Sequence, residues 1–163
     1  MVKVGDVVMH RYNGLCKISG MKKMAFKGPA VHYYVLEPVY DSASTIYVPK
    51  EKAAELLRTP LPKDEILKLI DGMAGMPVVW VDDMKRRKDA FTDIIHRGDP
   101  VELVSMIQSI YKKAKDRNAI GKRLSEADQR QLTIAEKVIS GEFAYGLSEE
   151  PPQILERIRL QLK

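Results

Sequence analysis

Trp80 is the only tryptophan of the chain, and it stands just ahead of the densest basic run, Lys85-Arg86-Arg87-Lys88. An aromatic blade beside a cationic patch suits a protein that grips DNA phosphates and presses a flat apolar group against the duplex. The same residues also read as a core tryptophan followed by a solvated basic helix face. Lys112, Lys113, Lys122 and Arg123 extend the basic character further along the chain and are secondary candidates for phosphate contact.

Catalytic constellations are missing from the sequence. There is no Gly-x-Gly-x-x-Gly and no phosphate-cradling Gly-Lys-Ser/Thr loop. His10, His32 and His96 are scattered, and none has a second His or Cys at metal-ligand spacing. Asp82 and Asp83 form a carboxylate pair, but neighbours on a helix point in different directions, so they read as first-turn residues that complement the helix dipole. The methionines are scattered rather than striped. The expectation is a non-enzyme with no cofactor, no metal and no small-molecule substrate.

Charge distribution points the same way. The formal charge is +5, from 27 basic and 22 acidic residues. Residues 85–123 hold 11 Lys/Arg against 5 Asp/Glu, whereas residues 124–163 hold 5 against 7. Basic charge concentrated in mid-chain favours an anionic partner such as nucleic acid. Hydrophobic residues make up 45% and charged residues 30%, as in ordinary globular proteins. No run has the length of a membrane span, and Met1–Asp6 lacks the apolar core of a signal peptide, which predicts a cytoplasmic protein. A lone cysteine, Cys16, excludes internal disulfides and reads as a small buried hydrophobe.

These residues must be positioned by two kinds of element. The first half reads as short strands: Asp6–His10 and Leu15–Ile18 flank Tyr12-Asn13-Gly14, whose Asn-Gly pair is a strong hairpin signal. Val31–Val39 and Thr45–Val48 are further strands, with Lys27-Gly28-Pro29 and Asp41-Ser42 as turn material between them. Four or five short strands in so little chain predict a small, strongly bent sheet or barrel, whose exposed edge can accept a strand from a partner. A short helix over 50–57 follows, and from Pro60-Leu61-Pro62 onward the period is helical. Ile66, Leu67, Leu69 and Ile70 mark one helix, with Pro62 in its first turn. Gly72, Gly75 and Pro77 link it to an apolar anchor, Val78–Val81. A helix from about Asp82 to His96 stops at Gly98. Asp99, with Pro100 after it, caps the next, and Ser125 begins another. Ser148, Pro151 and Pro152 introduce a last helix ending at Leu162. The fold class is therefore α+β, with a β module over 1–58 and an all-α bundle over 59–163.

Taken in order, several segments resemble the CarD/CdnL family of bacterial RNA polymerase-binding transcription regulators. In the first half they are Val4-Gly5-Asp6-Val7-Val8 with Gly14, Lys27-Gly28 before Tyr33-Tyr34-Val35-Leu36, and Tyr47-Val48-Pro49. In the second half they are Trp80–Asp83, Arg86-Arg87, Gly98-Asp99 with Glu102-Leu103-Val104, Gly121–Ser125, and Ala135-Glu136-Lys137 before Glu142-Phe143-Ala144. The first half is also similar to the polymerase-interacting domain of the transcription-repair coupling factor, whose helicase motifs this chain lacks. The resemblance implies a Tudor-like N-terminal domain that docks on the polymerase β subunit. It also implies a helical domain that rests on promoter DNA at the upstream edge of the melted region. There a tryptophan wedges into the minor groove and stabilises the open complex.

Departures from the family pattern bear on particular residues. Met24 and Tyr47 occupy the positions where family arginines meet polymerase, with Lys22 and Lys23 close by and Pro49 ending the same strand. Counted back from Gly98-Asp99, the wedge position falls on Met84, four residues after Trp80, so the wedge is Trp80 reaching from one turn earlier, or Met84 with Trp80 in the core, or neither. The expected protein is a monomer on the nucleoid, binding the β subunit and double-stranded promoter DNA. The alternative is a protein-interaction adaptor without DNA binding, in which Tyr12, Tyr33, Tyr34, Tyr40 and Tyr47 supply an aromatic cage for a methylated tail.

Overall fold

The computed structural model describes residues 1–41 and 43–163, so the predicted turn residue Ser42 lies outside the described residues. The chain divides into two compact units, Met1–Pro60 and Leu61–Lys163. The first is an antiparallel sheet and the second is helical, the α+β organisation expected from the sequence.

In the first unit the strands are β1 (Val7–His10), β2 (Gly14–Met24), β3 (Val31–Pro38), β4 (Ile46–Pro49) and β5 (Leu57–Arg58). Their order in the sheet is β4-β3-β2-β1-β5. The Asn13-Gly14 signal is realised: His10 pairs with Gly14 across the β1–β2 hairpin, and Gly14 takes φ +75°, a conformation natural to glycine. The imidazole of His10, unassigned by the sequence, completes this turn. Its Nδ1 accepts from the backbone N–H of Tyr12 at 3.1 Å and of Asn13 at 3.2 Å. Burial lowers its pKa, which keeps the ring neutral and that nitrogen free to accept.

Strand β2 runs to Met24, well beyond the predicted end at Ile18. The segment Met21–Met24 carries no hydrophobic alternation, and its ladder with β3 residues Tyr34 to Val31 is what makes it a strand. A bulge between Ile18 and Gly20 shifts the register. Val8, Cys16, Ile18, Tyr34, Leu36, Val48, Ala53 and Leu57 form the core of this unit. Burial pushes the Cys16 thiol up to about 11, consistent with a packing role. The short helix predicted over 50–57 is shorter: a 3-10 turn over Lys50–Lys52 leads into α1 (Ala53–Leu56), and Leu57 then leaves it for β5. Leu57 and Arg58 pair with His10 and Met9 of β1, a long-range ladder that overrides local helical preference.

The second unit contains α2 (Lys63–Gly72), a 3-10 turn over Met73–Gly75, α3 (Met84–Arg97), α4 (Pro100–Ala119), α5 (Glu126–Leu147) and α6 (Pro151–Gln161). The caps expected at Asp99 and Ser125 are formed, whereas α3 begins at Met84, so Asp83, expected in the first turn with Asp82, stands instead at its N-cap. Asp83 accepts from Arg86 N, Asp99 from Glu102 N and Ser125 from Asp128 N, while Gly98 closes α3 at φ +68°. Pro62 sits one position earlier than expected, at the N-cap of α2. Helix α5 packs against α2, α3, α4 and α6, and its stripe Leu132, Ala135, Ile139 and Phe143 lies in one core with Leu103, Ile107, Ile110 and Ile154. Its Glu142 carboxylate, fully buried, accepts from Leu61 N at 2.9 Å and pins the start of the unit. No helix among the described residues is long and apolar enough to cross a membrane.

Candidate functional site

The Trp80 region is built from the extended segment between Gly75 and α3, together with faces of α3, α4 and α5. Backbone N–H of Val79 donates to the buried Ser109 hydroxyl on α4 at 2.9 Å. Trp80 is half-buried at the edge of the helical core, edge-on to Phe91 with ring centroids 6.0 Å apart. Two cations lie over its ring, the Arg87 guanidinium 4.3 Å and the Lys113 ammonium 5.6 Å from its centroid.

Arg87 requires a correction to the basic run. It is 2% exposed, whereas Lys85, Arg86 and Lys88 around it are exposed. Its Nε and Nη2 each donate to a carboxylate oxygen of Asp128 at 2.9 Å. Its Nη1 donates to the carbonyls of Val81 at 2.9 Å and Asp82 at 3.2 Å. Helical phase explains the difference, since Arg87 stands four residues before Phe91 on the inward stripe of α3. Burial pushes the Asp128 carboxyl up, but hydrogen bonds from Arg87 and Ser125 prevail and hold it below the usual carboxylate range. So Arg87 is committed inside the protein, and the exposed cations of the run are Lys85, Arg86 and Lys88.

Other candidates separate similarly. Lys112 is exposed and pairs with Asp116 at 3.1 Å, a solvated pair of small energetic weight. Lys122 and Arg123 are exposed in the loop after α4. Arg123 also lines an open groove of about 730 Å³ with Asn118, Gln129 and Arg130. The exposed apolar side chains near the basic run are Val78 at 42%, Val79 at 55% and Met84 at 58%.

A second surface lies on the β2-β3-β4 part of the sheet. Side chains alternate along a strand, so register assigns faces. Lys22 pairs with Tyr33 and Tyr33 with Pro49, while Val35 pairs with Tyr47 and Met24 with Val31. These alternate with Met21, Tyr34 and Val48, of which Tyr34 and Val48 face the core. Lys22, Met24, Tyr47 and Pro49 therefore share the outward face, whereas Lys23, paired with His32, falls on the opposite one. Sequence adjacency concealed this split. Phe26, 68% exposed, stands edge-on to Tyr33 with centroids 5.5 Å apart and adds apolar area.

At the end of β2, Met21, Lys22, Lys23, His32 and Lys50 line an open pocket of about 400 Å³ that has no acidic side chain on its wall. His32 and Lys50 were not singled out by sequence, because only strand pairing brings them to the two lysines. Tyr34 is buried with its hydroxyl donating to Val2 O at 3.2 Å, which removes it from any aromatic cage. Among the described residues, no group of three or more His, Cys, Asp or Glu gathers as a metal site.

No curated protein sequence matches the chain. Residues 2–60 do match a family model, the CarD-like/TRCF RID domain, over the β-sheet unit and not over the helical unit that begins at Leu61. The resemblance read from Val4–Val8, Tyr33–Leu36 and Tyr47–Pro49 falls within those residues. Residues 2–60 match the RNA polymerase-interacting domain of CarD-like proteins, and the chain carries that domain as its N-terminal unit.

Proposed function

We propose that this protein regulates transcription by binding the RNA polymerase β subunit with residues 1–58 and promoter DNA with residues 59–163. On this reading it stabilises the open complex at the upstream edge of the melted region. The observation that carries the reading is the family match over 2–60. Within that span, Lys22, Met24, Tyr47 and Pro49 share the outward face, and Lys22 also lines the basic pocket with Lys23, His32 and Lys50. Such a surface suits an acidic partner, and the free edge of β4 suits an added strand.

For DNA, the exposed cations Lys85, Arg86, Lys88, Lys122 and Arg123 suit phosphates, which position a protein without reading sequence. Lys112 and Lys113 are further contacts at the α4 surface, and Arg87 acts from within by fixing the segment before α3. Promoter choice then comes from the polymerase, so no recognition helix is required. The protein works as a monomer in the cytoplasm, at the nucleoid.

The test is reconstitution with purified polymerase on a promoter whose open complex is short-lived. Capture of polymerase by the chain, together with a longer open-complex lifetime, supports the proposal. Capture without any effect on the open complex and without duplex binding favours an adaptor. Failure to capture polymerase rejects the assignment.

A further inference from the structure

Gln108 of α4 is 7% exposed, and its Oε1 is buried without a hydrogen-bond donor, alone in this among the described residues. Such an oxygen has given up water and received nothing in return, which costs stability. The other polar groups buried in the helical unit are answered. Ser109 accepts from Val79, Glu142 accepts from Leu61, and Arg87 pairs with Asp128.

Gln108 also stands on the wall of a pocket of about 170 Å³ between α4, the end of α6 and the 3-10 turn at Met73–Gly75. That space has room for several waters or one small ligand. Lys112 and Lys115, one and two turns further along α4, line it together with Lys163. No acidic side chain among the described residues lines it. Protein donors near Gln108 are already engaged. The Tyr111 hydroxyl donates to Glu136 at 2.8 Å, the Lys112 ammonium is drawn to Asp116 at 3.1 Å, and Gln161 Nε2 donates to Asp71 O.

The pocket therefore lacks a donor, while its three lysines call for an anion. Sulfate, an ionised carboxylate and the phosphodiesters of DNA offer charged oxygens but no donor. A phosphate monoester sheds its last proton near pH 6 and is then in the same position. Inorganic phosphate keeps a proton at neutral pH and so carries both an O–H and charged oxygens. We infer that this pocket binds hydrogen phosphate, its O–H donating to Gln108 Oε1 and its charged oxygens facing Lys112, Lys115 and Lys163. The site is separate from any grip on DNA, whose phosphodiesters hold no proton to donate.

The test is calorimetric titration of the full-length protein at neutral pH with sodium phosphate, sodium sulfate and glycerol phosphate at matched ionic strength. Saturable phosphate binding is expected, with sulfate and the monoester weaker by roughly tenfold or more, because a site that hydrogen-bonds a ligand proton rejects analogues lacking it. Gln108→Leu should remove that preference and melt no lower than the parent, since it deletes the unpaired oxygen. Lys115→Ala, at an exposed position, should weaken phosphate binding without moving the melt, and it serves if the Gln108 variant does not fold. No saturable phosphate binding overturns the inference and leaves water as the partner of Gln108. An equal response to sulfate or to the monoester overturns it, as does parental phosphate affinity in either variant.

Discussion

Arg87 and Asp128, 41 residues apart in sequence, meet in a buried two-pronged ion pair with both N···O distances at 2.9 Å. The pair joins α3 to the first turn of α5, and through Nη1 it also fixes the carbonyls just after Trp80. A buried charge is tolerable only when its partner and its remaining hydrogen bonds are present. Here the Ser125 hydroxyl donates to the same carboxylate at 2.8 Å and completes the site.

Removing one partner should therefore be costly. Arg87→Ala or Asp128→Asn is expected to destabilise the helical unit by about 3–5 kcal/mol, because each leaves a buried group without its counterpart. Arg87→Lys should recover little, since an ammonium cannot span both carboxylate oxygens. Replacing both residues by apolar ones of similar volume should cost less than the two single changes added together. Urea unfolding followed by Trp80 emission measures all four, because that signal arises in the helical unit.

The same pair sets an acid dependence. The Asp128 carboxyl lies below its ordinary value in the folded protein, so the unfolded chain binds its proton first as pH falls. Its contribution to stability is fully present above the ordinary aspartate value of about 3.9 and is lost as pH drops further through the depressed folded value. In Asp128→Asn, stability at neutral pH should be lower, and its decline across this acidic window should be shallower. Equal slopes in the two proteins would count against the pair as the source.

Gly146 on α5 packs closely against Ile66 of α2. A Cβ there would overlap Ile66 Cδ1 and stand 3.1 Å from the Leu61 carbonyl oxygen. Gly146→Ala gains helix propensity, but the clash should dominate, for a net loss of about 1–3 kcal/mol. Ile66→Val removes the methyl that collides, so the double variant should lose less than the sum of the singles. Thermal melts of the three variants are the measurement.

Exposed cations and Arg87 should behave differently toward DNA. Changing Lys85, Arg86 and Lys88 to alanine is expected to weaken duplex binding about equally for unrelated sequences. It should flatten the slope of log affinity against log salt by about 2 to 3, at roughly 0.9 for each phosphate no longer neutralised. Arg87→Ala should leave that slope unchanged, because its guanidinium faces Asp128. Electrophoretic titration at several salt concentrations separates the two outcomes.

On the sheet, Lys22→Glu and Lys50→Glu should each weaken capture of polymerase, and Tyr47→Ala should do so by removing apolar surface from the outward face. Lys23→Glu should weaken it through the shared pocket alone, since Lys23 lies off the outward face. Residues 59–163 are expected to capture none. Retention of polymerase by that segment would remove the polymerase-binding role from the sheet.

The legible part of this fold was the part governed by neighbours a few residues apart. Asp99 and Ser125 cap helices with side chains that reach three residues ahead, and Gly14 and Gly98 take the positive φ that their turns require. Leu103, Ile107 and Ile110, like Ala135 and Ile139, declare their faces by helical spacing alone. The family resemblance of the first half was equally open to reading, because it rests on residue types in order. Tertiary structure decided what identical residue types do in different surroundings. Arg86, Arg87 and Lys88 form one basic run in sequence, yet helix phase and a carboxylate from α5 bury only Arg87. Lys22 and Lys23 are neighbours, but the pleat sends them to opposite faces, and strand pairing brings His32 and Lys50 to them. Leu57 and Arg58 become a strand only because β1 offers its edge, and Met21–Met24 only because β3 does. Local rules act through a few covalent bonds and leave their mark in spacing. Burial, pairing and register are set by groups dozens of residues away, whose identity no local spacing encodes.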